Sequence, residues 1–159
     1  MANYIYPAPG VTGVEATLSL EVNSDATNDS LSVPSLQDIT VNASNDVFTW
    51  TQLDEGSKKQ IATTATNSLS MNLVLEQDSF FGDGSSAAGT ASLKGIFGMS
   101  SDKDLVEFSL YLGDNSDGTT GKTISGTGYI TGLAPTVSAD APVWVTPITI
   151  TVDGDYTIA

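Results

Sequence analysis

Asp114-Asn115-Ser116-Asp117-Gly118 is the stretch whose side chains come nearest to a cation-binding loop, and Asp153-Gly154-Asp155 offers further carboxylates. A calcium loop of the helix–loop–helix kind needs oxygen ligands at positions 1, 3 and 5, glycine at 6 and glutamate at 12. With Gly118 at position 6, Gly113 falls at position 1 and Ile124 at position 12, so the pattern fails. The same residues make a good turn, because Asn, Asp and Gly tolerate left-handed backbone angles. A carboxylate pair for glycoside hydrolysis is the next possibility, since acids are plentiful. One acid of such a pair needs a raised pKa, set by aromatic or charged neighbours. No arginine or histidine is present to help. Trp50 and Trp144 lie within strands of alternating pattern, as core residues or inter-subunit anchors. No nucleotide loop, nucleophile elbow or metal signature occurs, so neither an enzyme nor a bound cofactor is expected.

Composition narrows the remaining classes. The 159 residues suit one domain with a substantial core, and 40% of them are apolar. No apolar run is long enough to span a bilayer, and no cleavable N-terminal signal pattern is visible. Cysteine is absent, which removes disulfides and thiolate chemistry together. Nineteen acids face five basic residues, all lysine, for a net charge of −14. Gripping nucleic acid requires clustered positive charge, so this chain would repel DNA. Such acidity serves solubility, and it equally suits a pore through which DNA slides without sticking.

The elements that would position any site are mostly strands. Residues 1–13 (MANYIYPAPGVTG) read as an arm, not a strand pair, which a neighbouring molecule could order. Val14, Ala16, Leu18, Leu20 and Val22 then alternate with polar residues, as a strand with one buried face requires. Ser24–Ser35 reads as a solvated loop, Ile39–Ala43 as a short strand and Val47–Leu53 as another. Asp54-Glu55-Gly56-Ser57 is a turn, and Lys58-Lys59 place two lysines directly after two acids. Ile61–Asn67 has no apolar face to bury, so residues 54–67 form a projecting loop or hairpin. Leu69, Met71, Leu73 and Leu75 mark a one-sided strand that carries Glu76 on its polar side. Between Ser86 and Ser101 the period changes to helical, although Gly95 and Gly98 weaken that helix by roughly 1 kcal/mol each if interior. Val106, Phe108, Leu110 and Leu112 then point inward, with Glu107 outward.

The stretch from Thr123 to Asp155 is the most regular. Thr123–Gly132 alternates and leaves Gly126, Gly128 and Gly132 as a strip where a backbone or a large ring can lie close. Trp144, Thr146, Ile148, Ile150 and Val152 share one face of a second strand, with Thr149, Thr151 and Asp153 on the other. Prolines 135 and 142 bracket the join. The whole predicts a mainly β chain of six to eight strands. Its form is an antiparallel β-sandwich or partly closed barrel with one short helix.

The run Gly126-Thr127-Gly128-Tyr129-Ile130-Thr131-Gly132-Leu133-Ala134-Pro135, a small acidic loop and a Thr/Ile strand ending Val152-Asp153-Gly154 resemble the tail tube (major tail) proteins of long-tailed bacteriophages. The resemblance is clearest over Leu69–Ala159. It implies a structural virion protein that self-assembles into stacked, hexameric rings, with an inner wall built from several strands of every subunit. It also implies assembly in the host cytoplasm, and the tape-measure, tail-tip and terminator proteins as partners. DNA would pass through without specific binding. On that reading Glu76, Glu107 and Asp153 are candidate lumen-lining acids. Asp54, Glu55, Lys58 and Lys59 mark a candidate inter-ring arm, and Trp50, Trp144 and Tyr129 are candidate packing or interface anchors. The alternative is an acidic β-sandwich that binds carbohydrate or decorates a capsid or cell surface.

Overall fold

A computed structural model describes residues 2, 4–7, 15–34, 36–116 and 119–159, without the side chains of Tyr6 and Ala141. Most of the arm 1–13, Val14, and Asp117-Gly118 of the loop weighed as a cation site lie outside the described residues. The elements in order are β1 (Ile5–Tyr6), β2 (Thr17–Val22), β3 (Ser30–Val33), β4 (Leu36–Thr51), β5 (Lys58–Val74), α1 (Gln77–Phe81) and α2 (Ala91–Asp102). There follow β6 (Val106–Tyr111), β7 (Asp114–Asn115), β8 (Thr123–Leu133), β9 (Thr136–Ser138), β10 (Ala141–Val152) and β11 (Thr157–Ile158).

One antiparallel sheet runs in the order β3-β2-β6-β8-β10-β5-β4, with β9 on β10 and β11 on β8. Alternation puts Leu18, Leu20, Val106, Phe108 and Leu110 on its inner face at one end, and Leu69, Met71, Leu73, Ile148 and Ile150 at the other. Both sets belong to a single core, so the sheet folds over upon itself without closing. The helices cover the gap, with α2 resting on β8, β3 and β2 and α1 on β3. The expected mainly β architecture with an open, sandwich-like form is what is found.

The glycine strip of β8 packs as its composition requires. The Phe108 ring lies against Gly126, and the Thr151 carbonyl lies so close to Gly128 that a Cβ there would sit 2.4 Å from it. The helix expected over 86–101 is α2, capped by Thr90, whose hydroxyl accepts from the Leu93 amide. It kinks at Gly95, where φ is +65° and an added Cβ would stand 2.4 Å from the Gly82 amide nitrogen. That close approach explains why glycine sits where helix propensity argues against it. Lys94 Nζ contacts Asp104, past the end of the helix, at 2.6 Å and Asp102, its last residue, at 3.1 Å.

Several details differ from the sequence reading. A second, shorter helix, α1, stands where only a Phe-Phe pair and a loop were visible. Residues 30–33 form β3 inside the stretch read as a loop, because Leu31 and Val33 find places in the core. Ile5–Tyr6 of the arm pair with Asp114–Asn115 of this same chain, and the Ser116 amide donates to the Tyr4 carbonyl at 2.7 Å.

Candidate functional site

The two segments read as separate strands, 39–43 and 47–53, are one 16-residue strand, β4, paired along its length with the 17-residue β5. At about 3.3 Å per residue the resulting hairpin is roughly 50 Å long. Its root belongs to the core, where Val41 faces Leu69 and Ile39 faces Met71. Beyond that point the ribbon leaves the body of the molecule. From Asn42 to Thr51 and from Lys58 to Thr66 every residue is exposed except the half-buried Trp50 and Lys59. Midway out, Asp46 on β4 is opposed by both Thr63 and Thr64. Thr63 donates to the Asp46 carbonyl and Thr64 to its carboxylate, so side chains hold this β-bulge. Residues 54–66 of the stretch read as a projecting element are the turn and the outer part of β5, whose partner is the outer part of β4. Asn67 is buried at the root. Asp54 and Glu55 lie in the turn and Lys58 and Lys59 at the head of β5. Lys59 Nζ contacts Glu55 at 2.7 Å.

The ribbon carries apolar side chains that the described residues leave exposed. Phe48 and Trp50 stack with ring centroids 6.0 Å apart, and Phe48 is paired with Ile61 and Trp50 with Lys59. Leu53 is fully exposed in the turn. An isolated two-stranded ribbon is marginally stable in water. β4 is also a sheet edge, since its other side has no partner among the described residues. A long edge without proline or lysine is a template for pairing with another chain.

The outward face of β4, β5, β10 and β8 is polar. It presents Thr40 and Asn42, then Ser68, Ser70 and Asn72, then Thr149 and Thr151, then Tyr129, in register across four strands. The Thr131 and Thr151 hydroxyls meet at 2.9 Å, and Asn72 Nδ2 donates to both Asp38 carboxylate oxygens at 3.1 Å. Side chains of this kind, tied to one another, give a hydrophilic surface of low charge.

The acids singled out from the sequence divide. Glu107 on β6 faces Glu21 on one side and Thr127 on the other, and the Asp153 amide donates to the Thr127 carbonyl at 2.7 Å. Glu107 and Asp153 thus flank one residue of β8 on the outer surface, joined by Glu21. Like charges directly opposite on neighbouring strands repel, so this row is held in place by the core beneath it. Glu76 is elsewhere. It is not the solvated end of a strand but the N-cap of α1, its carboxylate accepting from the Asp78 amide at 3.2 Å, the Ser79 amide at 2.9 Å and the Ser79 hydroxyl at 2.8 Å. The Ser79 amide and hydroxyl, then the Asp78 amide, hold its pKa below the usual carboxylate range.

Among the anchors, Trp144 and Tyr129 are about half exposed, Trp50 is half-buried, and none belongs to the core. Trp144 borders a feature the sequence did not reveal, an open apolar groove of about 850 Å³. Leu75, Phe80, Phe81, Phe97, Val143 and Trp144 line it. Phe81 and Phe97 are exposed and pack with the buried Phe80, centroids 4.8 Å and 6.0 Å from it. Asp114 in the failed cation loop is engaged by the Tyr111 hydroxyl, and Asn115 by Thr119 and Thr120. No group of three metal-ligating residues is found among the described residues.

A fold with a long projecting ribbon beside a polar four-stranded face has counterparts among solved structures. One chain from the tail of an empty gene transfer agent particle with C6 symmetry superposes with a TM-score of 0.62, at 12% identity, covering 89% of this chain and 95% of that one. A chain of the SPP1 tail tube gives 0.61 at 11% identity, covering 92% and 78%. The chain has the fold of a tail-tube subunit. A chain from the six-fold symmetrised baseplate of the anti-feeding prophage matches this tube fold at 0.62, with 11% identity and 97% of both chains covered. No protein-family model and no curated protein matches the sequence.

Proposed function

We propose that the chain is a structural subunit of a phage-type tail tube, assembling into six-membered rings that stack into a hollow tube. The observation that carries this reading is the hairpin. Half of its length is exposed on both faces, bears exposed aromatic side chains, and continues into a sheet edge with no partner among the described residues. Closure into a ring satisfies such edges, and a heterologous contact repeated along an axis gives a filament. The similarity to chains from six-fold particles supports the ring size.

In this arrangement the polar face of β4, β5, β10 and β8 lines the lumen, with Asp153 and Glu107 at its margin. The outer part of the hairpin, with Asp54, Glu55, Lys58 and Lys59, reaches the adjacent ring. A wall of hydroxyls and amides on a chain of net charge −14 offers phosphates no cationic grip, so DNA passes without adhering. The tube belongs in a virion tail, with tape-measure, tail-tip and terminator proteins as partners. The protein performs no catalysis there.

Light scattering across a concentration series tests the reading. The expected result is a mass that rises with concentration in multiples of a ring. A monomer at every concentration, with or without a tail-tip seed, overturns it.

A further inference from the structure

The exposed aromatic tip of the hairpin and the apolar groove stand at opposite ends of one strand. β5 begins at Lys58, beside the tip, and ends at Val74, where Leu75 enters the groove. Ile61 and Leu75 are thus about 45 Å apart along a continuous strand. The two surfaces cannot meet within one chain. We infer that the groove formed by Leu75, Phe81, Phe97, Val143 and Trp144 receives the Phe48–Trp50–Ile61 face of the hairpin of a second copy, a contact that rests on the tube reading and names its partner surfaces.

Shape and charge both favour that occupant. The tip presents a stacked aromatic pair flanked by Ile61, and the groove is lined by Phe81, Phe97 and Trp144, all substantially exposed. Phe48, Ile61, Phe81, Phe97 and Trp144 each still have about half of their area to bury, so the two patches supply the apolar centre of an interface whose rim comes from neighbouring residues. Two of the five lysines lie at the tip, making 54–59 locally neutral on a strongly acidic chain. Lys59 shares the aromatic face, and its exposed pair with Glu55 is weak enough to exchange partners. Glu76, Asp78 and Asp83 adjoin the groove-lining Leu75, Gln77 and Gly82 in the chain, so a lysine arriving with the aromatic face comes into an acidic neighbourhood. Because tip and groove are different patches, the contact is head-to-tail and propagates from copy to copy.

The absence of cysteine allows a direct test. Full-length Ile61→Cys and Val143→Cys variants are mixed in equal amounts under mild oxidation. The expected result is a disulfide-linked dimer in the mixture and little in either variant alone. Adding Phe81→Ser to the Val143→Cys chain should abolish the link while leaving the melting temperature nearly unchanged, since Phe81 is exposed. Tubes or rings that form without the mixed link overturn the docking and leave the tube reading standing. Linkage of Ile61→Cys to itself means that hairpins pair with each other, and also overturns it. Failure to associate at all overturns both.

Discussion

The Tyr156 hydroxyl donates to the Asn42 carbonyl oxygen at 2.7 Å, and the carbonyl of Ser68, paired with Asn42 across the hairpin, lies 2.9 Å from the same hydroxyl. One proton shared between β4 and β5 clasps the hairpin where it leaves the core. Asn67 reinforces the clasp by donating to the Gly154 carbonyl at 2.8 Å, and the Phe108 ring meets Tyr156 edge-on. The C-terminal segment therefore sets the direction in which the ribbon projects.

Tyr156→Phe keeps the ring and removes the clasp. It should cost about 1 kcal/mol, the net contribution of a typical hydrogen bond. The loss should be local. Amide exchange is expected to quicken in the ribbon residues 42–66 while the core strands β6 and β10 keep their protection. Uniformly faster exchange across the whole chain would show that the hydroxyl supports global stability instead.

Glu76 gives a pH signature. Its folded pKa is lowered by the Ser79 amide and hydroxyl and by the Asp78 amide, so its contribution is present above the unfolded carboxylate value. It is lost as pH falls through the folded value. Asp25 and Asp83, held low chiefly by Thr27 and by Ser86, act in the same sense. Glu76→Gln should therefore melt below the parent at neutral pH, with the difference closing in strong acid. Melting curves from neutral to acidic pH check this. A difference that persists unchanged at low pH would mean that the cap charge contributes nothing.

Glu107 and Asp153 test the channel wall. Replacing both with lysine leaves the buried faces of β6 and β10 untouched, and Glu107→Lys gains an opposite charge across from Glu21. In assembled particles the double variant should slow DNA ejection, because lysines near phosphates add salt-sensitive attraction. The effect should fade as added salt shortens the screening length, about 8 Å at physiological strength. Ejection at the parent rate in low salt would place these acids away from the channel.

Much of the body was legible from period-two alternation. Ile148, Ile150 and Val152 are buried where the pattern puts them, as are Leu69, Met71 and Leu73, because a half-buried strand leaves that signature directly. The hairpin was only half legible. Ser44–Asp46 separates two short strands in the sequence reading, yet pairing with β5 carries one strand straight through it. Periodicity also cannot say how far along a strand the core extends, so Trp50 and Trp144 had the right register and no assigned depth. α1 is short, and its signal was the acid at Glu76 three residues before Ser79, a helix start that resembles a strand end. The groove was invisible because its lining comes from residues 75–97 and 135–144, which only the fold brings together.

Electron microscopy of the purified, concentrated protein tests self-assembly most directly. Hollow tubes or six-fold rings of constant width are predicted for the parent chain. Replacing Asp46–Thr64 with Asn-Gly, a two-residue turn joining the paired Asn45 and Ala65, should give a folded protein that no longer stacks. Dispersed monomers of the parent at every concentration and salt would contradict the account.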